Sequence, residues 1–174
     1  MFLKQVNRNF TVFYNFNSVY MNKRLKMFVL DNYSIPKRAL DLGAGELVDV
    51  NGLKKMGWEV EGVDLKMGVN LEKFYLSKKR PFDLVYSNFV IHKIKNQTEF
   101  VKTAFENLKK DGWFFIQTFD LSDLNSSSKF TGDLLSKLLH KEGFRNIVFR
   151  VFDVFDDEEG HNHWHRVLEA SAQK

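Results

Sequence analysis

At 174 residues, 44% hydrophobic and 28% charged, the chain is long enough to bury one sizeable core and is composed like an ordinary soluble domain. The absence of cysteine excludes disulfides and thiolate metal sites, and no run of 18 apolar residues is present to form a transmembrane helix. The start of the chain lacks the apolar stretch of a secretory signal, so a cytoplasmic location and no membrane partner are expected. The net charge of +4 is uneven: Lys4, Arg8, Lys23, Arg24, Lys26, Lys37 and Arg38 face only Asp31 in residues 1–40, while 153–159 ("DVFDDEE") are acidic. A basic face of this kind either solvates a helix or meets an anionic partner, nucleic acid included.

Residues 7–32 place Phe13, Phe16, Tyr20 and Phe28 at roughly helical spacing, which predicts an N-terminal helical cap over 1–36. Pro36 closes it before a first strand at Arg38–Leu42. A helix from Glu46 to Met56 ends at Gly57, and "WEVEGVD" (58–64) alternates with the period of a strand. A short strand is expected near Val69–Leu71, then "FDLVYSN" (82–88), a helix over 98–110 and the apolar strand "WFFIQTF" (113–119). After a serine-rich loop, residues 133–143 read as an amphipathic helix, and two long strands joined by an acidic turn finish the chain. Strands alternating with helices predict an α/β fold: a doubly wound, mostly parallel, seven-stranded Rossmann-like sheet with a C-terminal antiparallel hairpin, in one domain over 1–174 with its core at 37–174. Ligands of such sheets bind beyond the carboxyl ends of the strands, where the strand order reverses.

One stretch sits at that place. "ALDLGAGELVDV" (39–50) carries Gly43 and Gly45 between a strand and a helix. Glycines so spaced commonly cradle a phosphate, as in dinucleotide folds, but that fingerprint asks for a further small residue where Val48 stands. Asp41 and Glu46 would also repel a pyrophosphate. A ligand with positive centres fits better, and S-adenosylmethionine has two: a sulfonium and an α-ammonium.

"ALDLGAGE" followed by "LKKMGWEVEGVDLK" resembles the first two motifs of class I S-adenosylmethionine-dependent methyltransferases. The resemblance continues in order through "FDLVYSNFVIHKI", "LKKDGWFFIQTFD" and "LLHKEGFRNIVFRVFDV", covering about residues 38–155. It implies S-adenosylmethionine as cofactor and methyl transfer as the activity. Gly43, Ala44 and Gly45 would bend around its methionine part, with Asp41 orienting the turn or the amino group. Asp64, followed by Leu65, would accept the ribose hydroxyls. Asn70 and Leu71 would meet the adenine, and Ser87, Asn88 and Phe89 would floor the space beneath the sulfonium. The sequence departs from the family at Glu46-Leu47, where a small residue is usual. It departs again at 65–81, which is too short for the usual helix and strand, so that part of the core should be trimmed.

Methyl transfer depends chiefly on holding the acceptor in line with the activated carbon. A base helps when the acceptor is a hydroxyl, and His92, just past the floor strand, is the candidate; its alternative role is a local hydrogen bond. His161, His163 and His165 alternate and share one strand face, but without cysteine or a nearby fixed carboxylate no metal is expected. The acceptor pocket is expected from 10–24 and 120–130. With no separate recognition domain, a small molecule is favoured over nucleic acid as acceptor. A methyltransferase-fold module that binds without turnover, and an RNA or protein methyltransferase acting with a partner, are the alternatives.

Overall fold

The computed structural model describes residues 12–14, 20–156 and 162–174. In chain order these form β1 (Val12–Tyr14), α1 (Lys23–Asn32), β2 (Arg38–Leu42), α2 (Val48–Lys55), β3 (Glu59–Val63), β4 (Phe82–Asn88), α3 (Gln97–Asn107), β5 (Leu108–Phe119), α4 (Gly132–Glu142), β6 (Arg145–Asp156) and β7 (His163–Gln173). Short 3-10 turns at Leu65–Met67 and Ile91–Lys93 follow β3 and β4.

The body of the sheet is six strands in the order β3-β2-β4-β5-β7-β6, with the three-residue β1 beside β6 at the far edge. β2, β3, β4 and β5 run parallel, and β7 is antiparallel to both β5 and β6. The strand order turns back between β2 and β4, because α2 carries the chain to β3 on one side and β4 returns to the other. The crevice above that reversal is where the glycine turn stands.

Period-two alternation sorts the strand residues to the two faces. Leu40, Leu42, Val85, Phe114 and Ile116 pack against α3 and α4. Ala39, Leu84, Tyr86 and Phe115 pack against Leu25 and Val29 of α1 and Val50 and Leu53 of α2. Both faces are covered, which is why β2 and β4 read as nearly unbroken apolar runs. Three helices open on side-chain caps: Asn22 accepts from Arg24 and Leu25 N–H, Asn96 from Glu99 N–H, and Thr131 from Leu134 N–H.

Several expectations are corrected. No strand forms at 69–71; the segment after β3 is one 3-10 turn and irregular chain, so the trimmed region is shorter in regular structure than the sequence suggested. That chain is held by side chains instead: Glu61 accepts from Tyr75 Oη (2.9 Å) and Ser77 Oγ (2.8 Å), and Asn107 Oδ1 accepts from Ser77 N–H (2.9 Å). The N-terminal region is not wholly helical. Among the described residues of 1–36, only Lys23–Asn32 is helix, and Val12–Tyr14 pairs in parallel with Val154–Asp156, since a β-branched and aromatic run fits the open edge of β6. The rest of 7–19, Phe16 among them, lies outside the described residues, as do the tip of the acidic turn and His161. Helix α2 starts at Val48 rather than Glu46 because Leu47 takes a left-handed conformation at its N-cap (φ 63°). β5 begins at Leu108, displacing the last turn expected of α3.

Candidate functional site

The two glycines after β2 differ in surroundings. At Gly43 (φ +94°) a Cβ would stand 2.3 Å from Val90 Cγ2, so no side chain fits. At Gly45 (φ +47°) a Cβ would meet nothing within 4 Å, and the backbone there faces open space. Gly43 and Ala44 N–H both donate to the Val63 carbonyl at 2.8 and 3.0 Å, and Gly45 N–H donates to Asp64 Oδ2 at 3.1 Å. The turn is thereby fastened to the end of β3. Asp64 Oδ1 accepts from Lys66 N–H (2.9 Å), so both carboxylate oxygens are fixed while each retains a lone pair for a further donor.

Glu46 does not face the turn. Its carboxylate pairs with Lys66 Nζ, both side chains being largely exposed. The acid that seemed to oppose an anionic ligand is therefore directed to solvent, in an ion pair of small energetic weight.

The acids that do shape the site are Asp41 and Asp49. Asp41 is buried on β2, in register with Tyr86 of β4. Burial, then the charge of Asp49, holds its carboxyl well above the usual carboxylate range, opposed by a hydrogen bond from Tyr86 and reinforced by the Asp64 charge. Asp49, in the first turn of α2, is also raised by burial, opposed by hydrogen bonds from Asn22 N–H (2.7 Å) and Asn88 Nδ2 (2.8 Å). Beside them Asn88 Oδ1 is buried without a hydrogen bond, while the Tyr86 hydroxyl bonds to Asp41. Raised acids and an orphaned oxygen together describe a place that a bound cation would satisfy.

A second network closes the site from the N-terminal side. Asn22 Nδ2 donates to Gln117 Oε1 (2.8 Å), and Gln117 Nε2 donates to Glu169 Oε2 (2.8 Å). Arg24 grips Glu169 through two bonds of 3.0 and 2.8 Å, and Arg150 reaches the same carboxylate at 3.0 Å. The start of α1 is thus tied to the carboxyl end of β5 and the middle of β7 beside it.

Beyond β4 the chain is strained: Phe89 sits at φ +59°, held by its N–H bond to the Gln117 carbonyl (2.9 Å). Its ring lies 5.0 Å from that of Phe119, which also meets His92 at 5.1 Å and His165 at 4.5 Å. His92 Nδ1 shares a hydrogen bond with Thr118 Oγ1 (3.2 Å), and burial with the nearby Lys93 charge lowers its pKa to about 4. It is neutral at pH 7.

Of the residues singled out in the sequence, Gly43, Ala44, Gly45, Asp64 and Leu65 gather at the turn, with Leu65 72% exposed beside Asp64. Asn88 and Phe89 lie at the end of β4 as expected. Ser87 does not reach the floor: it is fully buried, and its hydroxyl donates to the Leu42 carbonyl at 2.8 Å. Leu71 is core, 5% exposed, because the missing strand turns it inward with Val63 and Ile91. Asn70 Oδ1 is used by its own turn, accepting from Glu72 N–H (2.9 Å). Sequence reasoning missed Asp49, Gln117 and Glu169. Glu169 carried a signal, an acid inside the apolar run "RVLEASA"; Asp49, on a mixed helix start, carried none. A cleft of about 590 Å³ lined by Leu76, Lys78, Arg80 and Pro81 opens at the amino ends of the strands, away from all these groups.

An acid-lined cofactor crevice at the reversal point of an α/β sheet is the class that fold and site define. The chain belongs to a methyltransferase family: the family model described as "Methyltransferase domain" matches residues 17–167. S-adenosylmethionine is the cofactor of that family. Among solved structures, a SAM-dependent methyltransferase from Archaeoglobus fulgidus is similar at 16% identity and TM-score 0.67, covering 87% of this chain and 92% of that one. A Burkholderia thailandensis 1,6-didemethyltoxoflavin-N1-methyltransferase, bound to 1,6-didemethyltoxoflavin and S-adenosylhomocysteine, is similar at 18% identity and TM-score 0.67, covering 87% and 77%. Haemonchus contortus phosphoethanolamine N-methyltransferase 2, in complex with S-adenosyl-L-methionine, is similar at 14% identity and TM-score 0.63, covering 87% and 52%. No curated protein matches the sequence significantly. Among the described residues, no helix is long and apolar enough to cross a membrane.

Proposed function

We propose that this chain transfers a methyl group from S-adenosylmethionine to a small-molecule acceptor held between Phe89, Phe119 and His92. One observation carries the reading: the backbone at Gly45 faces open space beside buried acids, Asp41 and Asp49, that no lysine or arginine pairs among the described residues. The residues fit the cofactor. Asn88 Oδ1 is buried and unsatisfied where an ammonium would donate, and Asp64 is fixed where two hydroxyls would. When bound, the cofactor supplies a methyl carbon already activated by its sulfonium.

The chain's own part is to bind, orient and exclude water. Phe89 and Phe119 offer apolar ring faces toward the acceptor side. With Nδ1–H donating to Thr118, His92 keeps the Nε2 lone pair for a proton from the acceptor. A group with a pKa of about 4 is a weak base, which suits an acceptor already nucleophilic, an amine above an alcohol. Small-molecule acceptors of the similar solved enzymes support this class.

The test is calorimetry with S-adenosylhomocysteine, followed by transfer of labelled methyl from S-adenosylmethionine across a panel of small amines and hydroxyl compounds. Asp64→Ala should weaken cofactor binding by roughly 1–3 kcal/mol, the cost of leaving polar groups unpaired. No binding of either cofactor form at millimolar ligand would reject the enzyme reading. Binding without turnover of any panel member would favour a module that holds cofactor without reacting it.

A further inference from the structure

We propose that Asp156, His163 and His165 form a binding site for a single divalent transition-metal ion, with Asp123 orienting His165. The three come together through the β6–β7 hairpin. Asp156 is the cross-strand partner of His163, and His165 follows two residues on, so all three lie on one face of the pair. A fixed carboxylate for the histidines is thus supplied across the sheet by Asp156.

Four observations point to a metal. His163 Nε2 and His165 Nε2 lie 3.0 Å apart, and an Asp156 oxygen is within 4.8 Å of both. Two imidazole nitrogens bound at about 2.1 Å to one ion lie about 3.0–3.4 Å apart, depending on the angle, so the pair already has the required spacing. His165 Nδ1 donates to Asp123 Oδ2 at 2.8 Å, the carboxylate–imidazole arrangement that fixes the tautomer of a ligating histidine and leaves its Nε2 lone pair outward. Asp123 is itself immobilised: its side chain is fully buried, Oδ2 also accepts from Arg166 N–H (2.8 Å) and Oδ1 from Asn125 N–H (2.7 Å).

Two imidazoles and a carboxylate suit Zn²⁺, Fe²⁺, Mn²⁺ or Co²⁺ rather than a hard cation such as Ca²⁺. Three protein ligands leave at least one coordination position for an exogenous group. The His165 ring stacks 4.5 Å from Phe119, so the site adjoins the proposed acceptor side; that placement rests on the functional reading, whereas metal binding does not. Without an ion, the same geometry is a hydrogen bond from His163 Nε2–H to His165 Nε2. Metal entry requires that His163 move its proton to Nδ1.

The experiment uses the full chain without an affinity tag, treated with chelator and dialysed. It is titrated with Zn²⁺ by calorimetry and with Co²⁺ by visible absorption, and S-adenosylhomocysteine affinity is measured on the same samples. One equivalent of zinc should bind, with a Co²⁺ spectrum of a low-symmetry nitrogen–oxygen site. His163→Ala and Asp156→Asn should each lose at least 10-fold in affinity, and Asp123→Asn about 10–100-fold through its effect on His165. Cofactor affinity in His163→Ala should be unchanged, which certifies the fold of the half-exposed variant. No stoichiometric zinc in the wild type, or binding undiminished in both His163→Ala and Asp156→Asn, would overturn the proposal. Failure of cofactor binding with zinc retained would overturn the functional reading alone.

Discussion

Gly43 and Gly45 belong to one motif, yet the structure assigns them different work, and the pair of alanine substitutions separates the two. Gly43→Ala forces a Cβ to within 2.3 Å of Val90 Cγ2 and 3.0 Å of Cγ1, at a φ of +94°. Overpacking costs about 1–3 kcal/mol and a left-handed side chain about 1–2 kcal/mol, so the variant should lose about 2–5 kcal/mol of stability. Gly45→Ala meets open space, leaving only the backbone contribution of about 1–2 kcal/mol, partly offset by about 0.4–1 kcal/mol from a less flexible unfolded chain. Urea denaturation measures stability, and calorimetry with S-adenosylhomocysteine measures the site. Gly43→Ala should be the less stable by at least 1 kcal/mol, and adding Val90→Ala should recover about 1 kcal/mol or more through the coupling of the two positions. Gly45→Ala should remain folded and bind cofactor at least 10-fold more weakly, because its methyl occupies the space the ligand needs. Equal stability of the two variants, no coupling with Val90, or normal cofactor affinity in Gly45→Ala would each refute this division.

His92 gives stability a definite pH slope. Its folded pKa of about 4 lies below the ordinary 6.5, so between those values the unfolded chain takes up a proton that the folded chain refuses. The His92 contribution is therefore fully present above pH 6.5 and is lost as pH falls towards 4. His92→Gln should flatten that part of the slope in thermal melts from pH 4 to 8; parallel curves would contradict it. Glu169→Ala should cost about 3–5 kcal/mol, since it removes the buried carboxylate that Arg24, Arg150 and Gln117 share. A loss under 1 kcal/mol in urea denaturation would show that the network at the start of α1 is slack.

The sequence determined what depends on local pattern. Alternating and apolar runs named β2 to β7, because a strand buried on both faces or one must place its apolar residues accordingly. Glycine after β2 and an acid closing β3 marked the crevice, because close backbone approach and acceptance from hydroxyls need those residue types at the strand ends. The failures came where long-range partners decide. Val12–Tyr14 looked helical among aromatics until the edge of β6 offered it hydrogen-bond partners. Leu71 looked like a pocket wall until the absence of a strand turned it into the core, and Ser87 was drawn under the floor by the Leu42 carbonyl.

Charge followed the same division. The sequence showed that acids surround the glycine turn, and so argued against a phosphate. Only the tertiary structure decided which acids face inward: Glu46 pairs outward with Lys66, while Asp41 and Asp49 are enclosed and their carboxyls raised by burial. It also decided that Asp156 and Asp123, 7 and 40 residues before His163 in the chain, stand beside the histidines of β7. Periodicity is written in neighbouring residues and can be read from them. Desolvation and ligand geometry depend on which distant side chains share a space, and that is fixed only when the sheet is assembled.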